Sequence, residues 1–203
     1  MKFTVADLLD QLSTNDSVET AVIAKILKLT NKSDKQSLDI AIDALSKIGV
    51  LTRGEGNVVA RTRNDEFIDA RLRCSSKGFC FAIRDDGGDD IYIRDHQLNH
   101  AWNGDRVLVR ITREGGRRRS PEGGVQCILE RSTTSLLGQV ERRDDQLFAV
   151  PLDDRMLTTI QLPDAAAEHL SNEEPNAVVE VLVDRYPIAQ HPALGQVVRP
   201  LPL

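Results

Sequence analysis

Two phenylalanines and a tyrosine stand close together in the segment KGFCFAIRDDGGDDIYI, which spans residues 77–93. Phe79 and Phe81 are separated by one residue, and Tyr92 follows a run of aspartate and glycine that is typical of a turn. Exposed aromatic rings can stack on nucleic-acid bases, while arginine and lysine side chains contact the phosphates between them. The segment is therefore a candidate site for a single-stranded nucleic acid.

A hairpin with its turn at Gly87 and Gly88 would sort these side chains onto two faces, because side chains alternate along a strand. One face would carry Phe79, Phe81, Ile83, Tyr92 and Arg94, and the other Cys80, Ala82, Ile91 and Ile93. In this register Asp85 lies opposite Asp90, Ile83 opposite Tyr92, and Phe81 opposite Arg94.

The alternative is that the two phenylalanines point inward as core residues, as most phenylalanines do. The second face is small and apolar and suits a protein interior better, so we predict that the rings point outward. A register that differed by one residue would reverse this assignment.

Basic residues accompany the aromatic segment and are predicted to contact phosphates. They are Lys77, Arg71, Arg73, Arg94, Arg106, Arg110, Arg117, Arg118 and Arg119. The last three belong to the loop REGGRRRSPEGG, residues 113–124, at a position where small barrels often contact oligonucleotides. A solvated linker is the alternative interpretation of this loop.

The elements that hold these residues follow from hydrophobic periodicity. Residues 1–62 show three helical patterns, and the second of them places Val18, Val22, Ile26 and Leu29 on one face. The third pattern starts near Ser33, a capping residue, and stops at Gly49. Two β-prone runs around Gly-Glu-Gly follow it. This order predicts a winged helix-turn-helix.

From residue 66 the hydrophobic period changes to two, which is typical of strands. Five short runs in residues 63–132 predict a five-stranded OB-fold barrel, and Trp102 is expected to plug its end. The order repeats in residues 133–203, with a helix expected at PDAAAEHL, residues 163–170. The predicted fold class is therefore multidomain α+β, with a winged helix-turn-helix followed by two tandem cold-shock-like OB barrels.

The motifs KGFCF and IYIRD resemble the two ribonucleoprotein motifs of cold-shock domains, usually KGFGF and a VFVH-type strand. Here Cys80 replaces a glycine, Arg94 stands where histidine is common, and Leu72 lies near the place of a missing tryptophan. The first barrel motifs are followed by GDRVLV, and the second barrel region contains GQV and FAVP. With these motifs, almost the whole chain resembles the N-terminal half of ribonuclease II and ribonuclease R family exoribonucleases.

The resemblance implies single-stranded RNA binding and delivery of RNA to a catalytic domain that degrades it from the 3′ end with Mg²⁺. No segment here matches that domain, so we expect no catalytic residue, metal site or cofactor in this chain. Two alternatives stay open. One is a stand-alone cold-shock-type RNA-binding or RNA-remodelling protein, and the other is a DNA-binding regulator that uses the winged helix.

Charge and composition narrow the expected partners. Residues 1–62 carry 8 basic and 8 acidic side chains, residues 63–132 carry 13 and 12, and residues 133–203 carry 5 and 11. An RNA site must therefore be local, and the acidic last segment is an improbable one. The predicted third helix mixes lysines with aspartates, which argues against duplex DNA as a partner and favours protein docking or RNA guidance.

The remaining sequence features argue against a metal site, a disulfide framework and a membrane segment. The paired aspartates, such as Asp85/Asp86 and Asp153/Asp154, fall in predicted turns and show no calcium-loop spacing. The three cysteines lack CxxC spacing, which predicts reduced thiols packed as small hydrophobic residues. No signal peptide or apolar run long enough for a membrane helix is present, so we expect a cytoplasmic protein without a membrane partner.

Overall fold

The computed structural model describes residues 2–62, 66–164 and 177–201. Most of the helix expected at residues 163–170 lies outside these ranges, as do residues 63–65 at the predicted boundary of the first domain. The domain boundaries therefore stay predictions. Within the described ranges, no helix combines the length and the apolar character that crossing a membrane requires.

Residues 2–62 form three helices and a three-stranded antiparallel sheet. The elements are α1 (Val5–Leu9), β1 (Val18–Glu19), α2 (Thr20–Ile26), α3 (Lys32–Lys47), β2 (Leu51–Arg53) and β3 (Val58–Arg61), and the sheet order is β1-β3-β2. Helix α3 is capped by Asn31, whose side chain accepts from the Asp34 N–H, so the prediction of a cap at Ser33 was wrong. The winged-helix assignment of this region stays a prediction.

The inward face of α2 also differs from the predicted one. Val22 and Ile26 are exposed, whereas Ile23 and Ala24 are buried. The predicted stripe was anchored on Val18, which instead belongs to β1 and pairs with Val59. Because the helix begins only at Thr20, its buried stripe follows a different set of positions.

The next five strands close into the first barrel. They are β4 (Phe67–Cys74), β5 (Cys80–Arg84), β6 (Ile91–Ile93), β7 (Arg106–Arg113) and β8 (Glu122–Glu130), in the order β4-β5-β6-β8-β7. All pairs are antiparallel except β6 with β8. Alternate positions such as Leu72, Ala82 and Val107 fill the interior. The predicted barrel is confirmed.

The second barrel repeats the first. Its strands are β9 (Ser135–Arg143), β10 (Gln146–Pro151), β11 (Ile160–Leu162), β12 (Val178–Arg185) and β13 (Ala193–Leu201). Read from β9, their order around the barrel is β9-β10-β11-β13-β12, which matches the first barrel strand for strand. The predicted tandem repeat is therefore confirmed.

The three regions are joined by shared apolar contacts. Leu108 and Leu129, on the outer surface of the first barrel, are buried in the core of the N-terminal helices. Trp102, in the loop between β6 and β7, is buried with the core of the second barrel and contacts Tyr186 at 5.1 Å between ring centroids. Trp102 therefore packs into the core of the second barrel and not into that of the first, where it was expected, and it joins the two barrels.

Cys74 and Cys80 form a disulfide, so the prediction of three reduced thiols was wrong. The two residues are only six positions apart, and the β4–β5 register places them directly opposite each other. The spacing of cysteines along the chain does not show a pairing that arises across a hairpin. Cys127 is the remaining free cysteine, and burial raises the pKa of its thiol to about 11.

This arrangement predicts the outcome of thiol alkylation on protein purified without reductant. After denaturation, one of the three cysteines should be alkylated without reductant, and all three after reduction, as measured by intact mass. In the native state at pH 8 even Cys127 should react slowly, because a pKa of about 11 leaves about 0.1% of it as thiolate. Alkylation of all three cysteines without reductant would contradict the disulfide.

Candidate nucleic-acid interface

The β5–β6 hairpin presents its aromatic residues on the outer face of the first barrel. Cys80 and Ala82, like Ile91 and Ile93 across from them, are fully buried in the barrel interior. Phe79 is 37% exposed, while Phe81 and Tyr92 are half-buried on the outer face. The predicted sorting of the two faces is confirmed.

The predicted pairing across this hairpin was wrong by two residues. Phe81 lies opposite Tyr92 instead of Arg94. The predicted pairs Ile83–Tyr92 and Asp85–Asp90 do not occur. The connection is longer than a two-residue turn because Asp86 binds the Arg84 guanidinium and accepts from the Gly88 N–H at 3.0 Å. These contacts lower the pKa of Asp86 to about 2. A shift of two residues leaves every side chain on its predicted face.

The three rings form one continuous surface, which we call the aromatic platform (Phe79, Phe81 and Tyr92). The Phe79 and Phe81 rings meet edge to face, with centroids 6.1 Å apart and planes at 87°. Phe81 and Tyr92 have centroids 5.5 Å apart and planes at 59°. These contacts hold the rings in place on a rigid sheet and leave parts of them open to solvent, as base stacking requires.

Basic side chains flank the platform on the β4 side. Arg73 lies directly opposite Phe81, and Arg71 lies opposite Ile83. Both are exposed, and Arg71 donates to the Gly104 carbonyl at 2.9 Å. Lys77 occupies the tight β4–β5 turn, which is closed by the Ser75 N–H donating to the Phe79 carbonyl at 2.9 Å. The structure thus brings these three predicted residues to the platform.

Arg106 and Arg110 lie on β7, away from the aromatic rings. Arg106 forms a two-pronged ion pair with Asp69, at 3.0 and 2.6 Å, which raises the pKa of the guanidinium. Arg110 binds the Glu66 carboxylate and lies 5.5 Å from the centroid of the Phe67 ring. Their charges are therefore compensated within the protein, and the structure does not bring them together with the platform.

The β7–β8 loop folds over the other side of the platform. Its residue Arg119 helps to line a groove of about 360 Å³, together with Phe81, Tyr92, Arg94, Arg113, Ser120 and Glu122. Arg117 and Arg118 line a neighbouring groove of about 780 Å³ that also includes Asp89 and Asp90. Arg119 therefore lies beside Phe81 and Tyr92, whereas Arg117 and Arg118 are exposed and line a groove that includes none of the three rings.

Three residues of the smaller groove were not predicted from the sequence, namely Arg113, Ser120 and Glu122. Glu122 reaches the platform because β8 pairs in parallel with β6, which places it opposite Tyr92. Gly123 permits this close approach, since a Cβ there would lie 2.8 Å from the Ile91 Cγ2. Strand pairing between distant segments leaves no local signal, although the Gly-Gly pair at the start of β8 hints at a close approach.

The rest of the chain offers less for binding. Phe148 on β10 lies beneath the Arg143 guanidinium at 5.6 Å and has no second ring next to it among the described residues. Asp153 binds Arg155 within its own turn, which lowers the pKa of that carboxyl. No group of three or more His, Cys, Asp or Glu side chains that could hold a metal ion occurs in the described ranges.

Two family models match this chain in succession. Residues 6–61 match the N-terminal domain of cyanobacterial RNase R, and residues 70–128 match the ribonuclease B OB domain. The matches coincide with the helical N-terminal region and with the first barrel, where the aromatic platform lies.

Similar proteins extend the match to almost the whole chain. The acetazolamide conferring resistance protein zam of Synechocystis is 46% identical over 99% of this chain and 25% of its own length. Ribonuclease R of Aquifex aeolicus is 27% identical over 88% of this chain and 24% of its own length. This chain therefore spans about a quarter of the length of these two relatives.

Solved structures show the same fold at low sequence identity. Yeast Ssd1, described as a pseudonuclease, superposes with a TM-score of 0.55 at 19% identity, over 67% of this chain and 23% of its own. RNase R of Mycoplasma genitalium, in complex with ribose methylated single-stranded RNA, superposes with a TM-score of 0.54 at 18% identity, over 66% of this chain and 21% of its own. The two family models and the ribonuclease R relative show that the chain belongs to the ribonuclease II and ribonuclease R family.

Proposed function

We propose that this chain binds single-stranded RNA on the first barrel and guides it toward the catalytic domain of a 3′-to-5′ exoribonuclease in the cytoplasm. The observation that carries the proposal is the aromatic platform, bordered by arginines on two sides. The RNA-bound state of the Mycoplasma genitalium relative supports the choice of ligand. The Mg²⁺ that such an enzyme needs would belong to a catalytic domain outside these 203 residues.

The platform would bind RNA through stacking and charge together. Bases would stack on Phe79, Phe81 and Tyr92, a contact that tolerates any base because every base has a π-face. The phosphates of the same strand would be contacted from two sides. Arg73 and Lys77 lie on one side, and the β7–β8 loop with Arg117, Arg118 and Arg119, which we call the arginine loop, lies on the other. Binding should therefore be largely independent of sequence and sensitive to salt.

Duplex DNA is the ligand expected of a winged-helix regulator, and the charges on α3 argue against it. Asp34 accepts from the Asn31 side chain at the helix start, and Asp43 pairs with Arg53 at 2.7 Å. The charges of these two carboxylates are partly compensated, but Asp39 is exposed on α3 and would repel the phosphates of a major groove. We propose that this region docks another protein or guides RNA.

A titration that compares ligands tests the proposal. Fluorescence anisotropy of labelled decauridylate and of a duplex DNA of mixed sequence should show binding of the RNA and much weaker binding of the duplex at the same salt concentration. Tighter, sequence-dependent binding of the duplex would refute the proposal. A reading frame that ends at Leu203 would favour the stand-alone RNA-binding alternative, whereas a following aspartate-rich domain would favour the nuclease.

The arginine loop should contribute most of the salt dependence. We expect that replacing Arg117, Arg118 and Arg119 with serine flattens the slope of log K against log salt concentration by up to about 2, at about 0.7 per lost phosphate contact. The measurement is the affinity for decauridylate at several salt concentrations. A matched control is Arg142→Ser with Arg143→Ser in the second barrel, which should leave the slope unchanged. An unchanged slope in the triple variant would show that the loop does not contact phosphates.

A further inference from the structure

Glu122 is the one carboxylate among the residues described as lining the smaller groove beside the platform. Its Oε2 accepts from Arg94 Nε at 3.2 Å and from Arg94 Nη2 at 3.0 Å, and its Oε1 lies 3.7 Å from Arg113 Nη1. The Glu122 side chain is 18% exposed, while the two arginine side chains are more than half exposed. A single acid thus sits beneath two arginines at the edge of the rings.

This position gives Glu122 two opposing effects on an anionic ligand. Its carboxylate holds Arg94 and Arg113 beside Tyr92, which orders them for binding. It also compensates part of their charge and repels a phosphate that approaches them. In contrast, no ion pair of Arg73 or Arg119 with a carboxylate occurs in the part of the chain that the structure describes. Charge is therefore partly compensated at Arg94 and Arg113 and left uncompensated at Arg73 and Arg119, which also lie beside the rings.

The Glu122 carboxylate repels phosphates but does not oppose the stacking of bases. A base on Phe81 and Tyr92 is uncharged, so Glu122 does not oppose its binding. A polyanion without bases gains nothing from the rings, and its closely spaced charges meet the full repulsion of the carboxylate. The carboxylate therefore costs such a ligand more than it costs RNA.

We infer that Glu122 makes the groove selective for a stacking nucleotide strand over a bare polyanion such as inorganic polyphosphate. The inference rests on the proposed function, because it assumes that RNA binds on the aromatic platform. It assigns to Glu122 a role in specificity through the charge of its arginine neighbours.

The test compares two ligands on the whole 203-residue chain and its Glu122→Gln variant. Glutamine keeps an oxygen that can accept from Arg94 and removes the charge. Decauridylate affinity should rise about threefold or less, and affinity for inorganic polyphosphate of similar length should rise about tenfold. The ratio of the affinity for decauridylate to the affinity for polyphosphate should therefore fall. Glu122→Met, which is uncharged and of similar length, should change the ratio in the same direction if the glutamine variant does not fold.

Glu180→Gln is the matched control, because Glu180 also binds an arginine on a barrel strand, Arg199 at 2.7 Å, but in the second barrel. It should leave both affinities unchanged. If wild-type protein binds decauridylate and the Glu122 variants leave the ratio unchanged or raise it, the inference is wrong and the proposed function stands. If the wild-type protein does not bind decauridylate, the proposed function fails and the inference fails with it.

Discussion

Replacing Phe79 and Phe81 with alanine is expected to weaken the binding of single-stranded RNA by about 30-fold or more. Base stacking on an aromatic ring contributes about 1–3 kcal/mol per base, and the double variant removes two of the three rings of the platform. The fold should survive, because both rings lie on the outer face, while the interior of this hairpin consists of Cys80, Ala82, Ile91 and Ile93. The measurement is a titration of labelled decauridylate.

Phe148→Ala is the matched control for this experiment. Phe148 lies on β10, the strand of the second barrel that corresponds to β5, and it is likewise half-buried beside an arginine. RNA affinity should not change in this control. If the Phe79 and Phe81 variant unfolds, as shown by circular dichroism, the rings are core residues; if it folds and binds RNA as well as wild type, the platform is not the binding site.

The second large effect is expected on stability, from Asp105→Ala at the joint between the barrels. Asp105 is fully buried and accepts from the Trp102 N–H at 2.8 Å, the Arg131 guanidinium at 2.9 Å and the Ser132 N–H at 2.9 Å. Arg131 in turn lies 4.2 Å from the Tyr186 ring centroid. Alanine would leave two N–H groups without their acceptor, and the mostly buried Arg131 guanidinium would lose its only carboxylate among the described residues and keep the His100 carbonyl. We expect the free energy of unfolding to fall by about 3–5 kcal/mol.

Chemical denaturation followed by Trp102 fluorescence measures this loss directly, because Trp102 lies in the joint. Asp153→Ala is a suitable control, since Asp153 binds Arg155 at the surface and such a pair contributes about 1 kcal/mol or less. A loss of less than about 1 kcal/mol in Asp105→Ala would show that the network does not hold the barrels together.

Much of the fold could be predicted from the sequence because its information is local. The change of hydrophobic period near residue 66 marks the start of the barrel strands, and Gly49, with a φ of 82°, stops the third helix as expected. The outward direction of Phe79 and Phe81 was also predictable. Small apolar residues alternate with the rings, and a barrel interior accepts only the small set.

The errors arise where side-chain contacts and pairing between strands decide the structure, because hydrophobic periodicity reports neither. The Arg84–Asp86 pair lengthens the hairpin connection and moves the register by two residues. The cysteine bridge depends on the β4–β5 register, and the position of Glu122 depends on the parallel pairing of β6 with β8. Arg106 and Arg110 alternate correctly along β7, but their acidic partners cannot be found from the period of one strand.

Photo-crosslinking tests the central claim, that RNA lies on the aromatic platform, more directly than any affinity measurement. A decanucleotide that contains 5-iodouridine is irradiated with the protein, and the crosslinked peptides are identified by mass spectrometry. We predict crosslinks at Phe79, Phe81 or Tyr92 that disappear when unlabelled decauridylate competes. Competed crosslinks confined to α3 or to the second barrel, with none in residues 77–94, would contradict the claim.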